Sequence, residues 1–340
     1  MTETKGAKAV GRPFGEEYYA DGAHRPGWHQ RAQHFDARLR PLLDAIGVDA
    51  HDRVQQTLKF WRAAVHRKLR ATTQLGKGDA AGMQVNIEVS GLVPPPVLER
   101  LEALPAPLLW VLLNRPLIRS TRLGLEALHA QYAAIADPQV FIPRNVSFTA
   151  EDMARGAEFV RQLDQSAVHR VDEEVNAILR LAMDTLGAYF FRAARIELYW
   201  VVLWIVASQL GVMVEDLTLV VLVHEMAHFY THVGHDADGH DWRTDMFARA
   251  DNCIVEGAAQ FYTEQFCRQL VESSDARRPL EAFQRLVQHQ STPYTCFQNW
   301  LPVHEKRAEG IRRALVIARS RGITDYHAFL ETMKDGAAQL

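Results

Sequence analysis

The sequence lacks several features that mark particular classes of protein. Its 340 residues carry 38 lysines and arginines against 41 aspartates and glutamates, for a net charge of −3. This balance argues against a nucleic-acid binder, which usually has a basic excess. The three cysteines have no CxxC spacing, so we predict neither a disulfide framework nor a thiolate zinc site. The first residues form no apolar core, which argues against a secretory signal. With unpaired cysteines, we expect a cytoplasmic protein.

Long hydrophobic runs are also scarce. The stretch from Leu198 to Val214 is apolar except for Ser208, Gln209 and Gly211. It is shorter than the about 20 residues that a membrane-spanning helix needs. We therefore expect a buried helix in a soluble core and no stable membrane insertion, with a membrane-embedded protein as the alternative.

Hydrophobic periodicity predicts an α+β, predominantly helical fold. Helical spacing covers residues 35–75, and a long amphipathic helix is predicted over 149–179. Alternating apolar residues over 187–200 predict a small β-hairpin, with a continuous helix as the competing interpretation. We expect three regions. We expect residues 1–34 to form a poorly ordered segment, residues 35–145 a helical N-terminal region and residues 146–340 a C-terminal domain.

Histidine is the residue type whose placement is most uneven. Five of the fifteen lie close together, at positions 224, 228, 232, 235 and 240. The run His224-Glu225-Met226-Ala227-His228 has the pattern H-E-x-x-H. Residues four apart lie on one face of an α-helix, so both imidazoles can reach one metal ion. Glu225, beside that face, is placed to act as a general base. The alternative is a pair of core histidines without a metal, which would need several compensating hydrogen bonds.

A catalytic zinc needs a third protein ligand and an open position. His232 continues the spacing but lies about 12 Å along a straight helix from His224, which is too far for one ion. Glu256 is the better candidate, because it follows a capping Asp251 or Asn252 on a helix with small, apolar residues. We predict a Zn²⁺ site formed by His224, His228 and Glu256. The alternative is that Glu256 is a solvated acidic residue on the surface of a helix and binds no metal.

These residues resemble those of zincin metallopeptidases of the gluzincin type, in which H-E-x-x-H on one helix is completed by a glutamate on a second helix. The resemblance covers about residues 221–265. Gln260 and Ala227 depart from the patterns of the best-known subgroups. The resemblance implies that residues 146–340 form a zincin-like, metal-binding catalytic domain with an active-site helix, a glutamate helix and a small edge hairpin. It also implies that the cofactor is Zn²⁺ and that the substrate is a peptide or protein.

The resemblance further implies a zinc-activated water with Glu225 as the general base, and a second donor for the oxyanion from a later segment. Tyr294 is our main candidate for this donor, followed by His304 and Tyr262. Carboxylates of the loop 235–241 are expected either to orient the ligand histidines or simply to cap the loop. The alternative function is a zincin-shaped binding or regulatory protein with a structural or vestigial metal site, working through its N-terminal helices. The oligomeric state is not predicted.

Overall fold

The computed structural model describes residues 27–45, 49–75, 84–104, 106–114, 176–180, 182, 184–236, 239–300 and 307–338. Within these ranges the chain is mainly helical, with three short strands, which confirms the predicted predominance of helix. The elements are, in chain order, α1 Trp28–Ala45, α2 Ala50–Thr73, β1 Asn86–Ser90, α3 Pro95–Ala103, α4 Ala106–Leu113, β2 Gly187–Phe190, β3 Arg195–Tyr199, α5 Trp200–Leu210, α6 Val214–Val233, α7 Thr244–Arg249, α8 Asn252–Ser274, α9 Arg278–Val287, α10 Thr292–Thr295, a 3₁₀ helix Cys296–Asn299, α11 Arg307–Arg321 and α12 Tyr326–Ala338. Most of the amphipathic helix predicted over 149–179 lies outside the described residues, which resume at residue 176.

The chain divides into two compact units. The first comprises residues 1–95 and 182–340, and the second comprises residues 96–181. The second unit contains α4 and all of α3 except its first residue. Both helices carry buried leucines, among them Leu98, Leu101, Leu109 and Leu112. The boundaries predicted at residues 34 and 145 stay predictions. Every residue of the site described below lies in the first unit.

Helix α6 is the central element of the first unit. Its sequence is apolar on nearly all sides, and such a helix is stable only when it is buried all round. All but two of its residues are in fact buried, and they include His224, Glu225 and His228. Its packing partners include α2, α8, α9, α5 and strand β2. The burial of α6 means that its polar side chains must find partners inside the protein.

The three strands form one small sheet in the order β1-β3-β2. Strand β2 pairs antiparallel with β3, with Tyr189 opposite Ile196, and this confirms the predicted hairpin. Strand β1 pairs parallel with β3 on its other side, with Ile87 opposite the same Ile196. Strand β2 is therefore an edge strand among the described residues, and it contacts α6.

A glycine follows the C-terminal end of α5 and another follows that of α6, and the two are required for different reasons. Gly211 follows α5 with a φ of 66°, the left-handed conformation that glycine adopts without strain. Gly234 follows α6 and has a φ of −65°. There a Cβ would lie 2.8 Å from Cβ of Leu75 and 2.4 Å from the Tyr230 carbonyl oxygen, so close approach explains this glycine.

Helix α5 confirms the predicted buried helix within residues 198–214, since all but one of its residues are buried. None of the described helices combines the length and apolar character that a membrane crossing requires.

Candidate metal centre

Three predicted ligands meet between α6 and α8. His224 and His228 are one turn apart on α6, and their Nε2 atoms lie 3.0 Å from each other. Glu256, in the second turn of α8, places Oε2 at 3.1 Å from Nε2 of His224 and at 3.2 Å from Nε2 of His228. Helix α8 begins where the sequence predicts, because the Asp251 side chain accepts a hydrogen bond from the backbone N–H of Cys253. The structure thus brings the three side chains into one cluster that could hold a metal ion.

The geometry of this cluster fits a small divalent cation. In a tetrahedral site with bonds of about 2.0–2.1 Å, ligand atoms lie about 3.3 Å apart, close to the distances between these three side chains. His224 and His228 are almost completely buried. Their Nδ1 atoms have no hydrogen-bond partner among the described residues. The hydrogen bonds of both rings there are formed by Nε2, which faces the cluster. Two buried imidazoles and a carboxylate are the nitrogen and oxygen donors of catalytic zinc sites.

The charges inside the cluster are strongly coupled. Burial by itself would raise the pKa of Glu256, but His228 and the hydrogen bonds from both histidines hold this pKa well below its usual range. Burial would likewise lower the pKa of His228, yet the Glu256 carboxylate raises it. For His224, burial prevails and the pKa is lowered. One carboxylate charge is therefore held between the two imidazoles, where a cation can take the place of the His228 proton.

Glu225 lies beside the cluster and under strand β2. Its side chain is buried, and burial raises its pKa to about 8 against the opposing effects of His228 and of a hydrogen bond from the backbone N–H of Tyr189. The strand approaches closely because Gly187 has no side chain. A Cβ at Gly187 would lie 3.1 Å from Cγ of Glu225 and 3.0 Å from Cγ1 of Val221. Glu225 is not among the three clustered side chains and instead faces strand β2.

Tyr294 is also at the cluster. It lies on the short helix α10, and its ring centroid is 5.8 Å from that of His224. Its hydroxyl donates a hydrogen bond of 3.3 Å to the backbone carbonyl of Asp184. Burial raises the pKa of Tyr294, and the charges of Glu256, Asp184 and Glu225 raise it further, so the phenol stays neutral and can donate a proton in a hydrogen bond.

The prediction that the cysteines are unpaired is wrong, because Cys253 and Cys296 form a disulfide whose Cα atoms are 5.6 Å apart. Cys267 is free and buried in α8. The two bonded cysteines are 43 positions apart, and folding brings α8 and the 3₁₀ helix together. A cytoplasmic location stays a prediction, without the support of unpaired cysteines.

The other residues considered from the sequence do not join the cluster. His232 accepts or donates hydrogen bonds with the Tyr189 hydroxyl at 2.9 Å and with Thr244 Oγ1 at 3.2 Å, one turn beyond the ligands. Tyr262 is buried, and its main charged neighbours are arginines, Arg312 and Arg319. His304 lies outside the described residues.

The loop after α6 is capped rather than tied to the ligands. Asp236 accepts a hydrogen bond of 2.8 Å from the backbone N–H of His240. Since Nδ1 of both His224 and His228 is without a partner in the described part of the chain, no loop carboxylate orients either ring there. Of the two expectations for this loop, the structure supports capping. Asp238 lies outside the described residues.

Sequence reasoning missed Asp184 at the edge of this site. Its carboxylate accepts a hydrogen bond of 3.3 Å from the backbone N–H of Ser291, and its carbonyl accepts the Tyr294 hydroxyl. Burial raises the pKa of Asp184, and the Glu256 charge adds to this shift. The one available signal was its position just before the predicted hairpin, because residues that lead into an edge strand lie beside the first residues of that strand.

Comparisons of this chain with models of protein families, with curated proteins and with solved structures found no match.

Proposed function

We propose that this chain is a zinc-dependent metallopeptidase of the gluzincin type. The observation that carries the proposal is the convergence of His224, His228 and Glu256 on one point, with Glu225 buried next to them. When bound there, zinc supplies a Lewis acid that acidifies water and polarises a carbonyl, and its charge favours the ionised form of neighbouring carboxyls. The substrate in this proposal is a peptide or protein, and nucleic acid is not a partner.

Each remaining residue has a role that follows from its position. Glu225 takes a proton from the attacking water and delivers it to the leaving amine. When substrate is bound, the Tyr294 hydroxyl turns its single proton from the Asp184 carbonyl to the oxyanion that develops on the scissile carbonyl. Strand β2 binds an extended peptide along its outer edge, so the scissile bond lies over Glu225.

The test begins with the metal. We expect the purified protein to contain one zinc ion per chain by mass spectrometry of the metal, and to cleave members of a peptide library. Glu256→Ala should lose the zinc, because one of three ligands is gone. Glu264→Gln is the matched control on the same helix, and it should keep both zinc and activity.

The second variant separates catalysis from metal binding. Glu225→Gln preserves the shape of the side chain but cannot accept a proton, so it should keep the zinc and lose cleavage by at least about a hundredfold. Wild-type protein that binds no zinc would refute the proposal. Zinc-replete protein that cleaves no peptide would favour a binding or regulatory protein instead.

A further inference from the structure

The Cys253–Cys296 disulfide joins the two segments that supply Glu256 and Tyr294. Cys253 lies in the first turn of α8, about one turn before Glu256. Cys296 opens the 3₁₀ helix that directly follows the short helix bearing Tyr294. A single covalent bond therefore links the helix of the third ligand to the segment that holds the tyrosine beside His224.

The hydrogen bonds that tie the Tyr294 segment to Asp184 are long. The hydrogen bonds from Ser291 N–H and from the Tyr294 hydroxyl to Asp184 are both 3.3 Å long, beyond the usual range for such bonds. Gln290, just before this segment, accepts a bond of 2.8 Å from Gln260 of α8. The segment itself is one short helical turn followed by a 3₁₀ turn, and elements of this length have little stability of their own.

We propose that the Cys253–Cys296 disulfide positions Tyr294 at the metal centre, and that its reduction by a dithiol lowers turnover without releasing the metal. The turnover part rests on the proposed function. A reductant can reach the disulfide at Cys253, which is only half-buried. Cys296 is buried, with 8% of its surface exposed. Tyr294 is here a catalytic residue, and the disulfide acts through it.

The redox step balances with a dithiol as the reductant. One thiolate of the dithiol attacks Sγ of Cys253, the protein S–S bond breaks, and Cys296 leaves as a thiolate that takes a proton from water. The second thiol then attacks the mixed disulfide and releases Cys253. The dithiol is oxidised to its own disulfide, and the protein gains two electrons and two protons. The N-terminus of α8 stabilises the released Cys253 thiolate, and the nearby Asp251 carboxylate opposes this effect.

The experiment compares loss of the disulfide with and without the tyrosine hydroxyl. Cys253→Ser with Cys296→Ser should lower kcat about tenfold or more at unchanged zinc content and nearly unchanged KM, since small misplacement of a catalytic group has effects of this size. In a Tyr294→Phe background the same two serines should cause no further loss of kcat. An equal loss in both backgrounds, or a loss of zinc, would overturn the proposal.

Reduction of the native protein with dithiothreitol is the parallel measurement, and it serves alone if the serine variant does not fold. Cys267→Ser is the control variant, because this buried thiol forms no disulfide and its replacement should leave the response to dithiothreitol unchanged. A Cys267→Ser protein that no longer responds would contradict the assignment of the response to Cys253–Cys296.

A readout that needs no peptidase activity keeps this inference separate from the proposed function. Peptide mapping without reductant should recover Cys253 joined to Cys296. Hydrogen exchange of the amides in 291–296 should speed up on reduction, while the amides of α6 should stay protected. Absence of cleavage by the wild type would refute the peptidase, but unchanged exchange in 291–296 would refute the positioning role.

Discussion

His232 should make the stability of this protein depend on pH in a defined window. The imidazole is 2% exposed, stacks on Phe247 at 4.6 Å, and bonds to Tyr189 and Thr244 through its two nitrogens. Burial lowers the pKa of His232 from 6.5 to about 4, with Asp241 opposing the shift and Arg319 adding to it. The neutral ring is the form that the folded protein accommodates.

The sign of the effect follows from where each state binds the proton. The unfolded chain protonates this imidazole near pH 6.5, and the folded protein does so only near pH 4. Between these values the unfolded state holds more protons, so the free energy of unfolding falls as the pH falls. The contribution is fully present above pH 6.5 and amounts to about 3 kcal/mol, at about 1.4 kcal/mol for each pKa unit.

The assay is urea unfolding of the wild type and of His232→Gln at pH 7.5 and pH 4.5. Glutamine can form hydrogen bonds but does not titrate. The variant should therefore be less stable at pH 7.5, yet lose about 2–3 kcal/mol less than the wild type on acidification. His235→Gln, at an exposed position nearby, should follow the wild type. Equal losses for the wild type and His232→Gln would show that the ring is not held neutral by burial.

Two further predictions concern packing and the disulfide. Gly187→Ala should destabilise the fold by about 1–2 kcal/mol in urea unfolding, because the new Cβ would lie about 3 Å from Val221, Glu225 and the Glu197 carbonyl. It should also lower peptide cleavage more than Ala188→Gly in the same strand, and equal activity of the two variants would contradict the close role of β2 beside Glu225. Removing the disulfide should cost up to about 4 kcal/mol, the chain-entropy value for a closure of 43 residues. Unfolding midpoints that do not change with reductant would contradict this estimate.

The helical part of the site was predictable because its geometry is local. The spacing of His224 and His228 places both rings on one face of any α-helix, and the apolar residues around them signal burial of that helix. The start of α8 was also visible, since Asp251 is a favourable capping residue. The hairpin followed from alternation over 187–200, where the turn 191–194 reverses the chain.

Contacts between distant segments were less accessible. The pairing of Cys253 with Cys296 was predicted wrongly, because cysteine spacing says nothing about which helices pack together. Asp184 has no motif around it, and its role depends on the Ser291–Tyr294 segment reaching it from across the fold. The loop carboxylates had two equal interpretations until the positions of the histidine Nδ1 atoms separated them.

The sequence by itself determined the two histidines, the buried glutamate between them and the helix that carries them, because each depends on residues only a few positions apart. The sequence predicted Glu256 as the third member of the cluster, and the tertiary structure decided for this interpretation against a solvated helical acid. Only the tertiary structure showed that β2 lies over Glu225 and that a disulfide joins α8 to the segment after Tyr294. These relations are distances between elements, and they arise when burial of α6 draws α8 and the sheet around it.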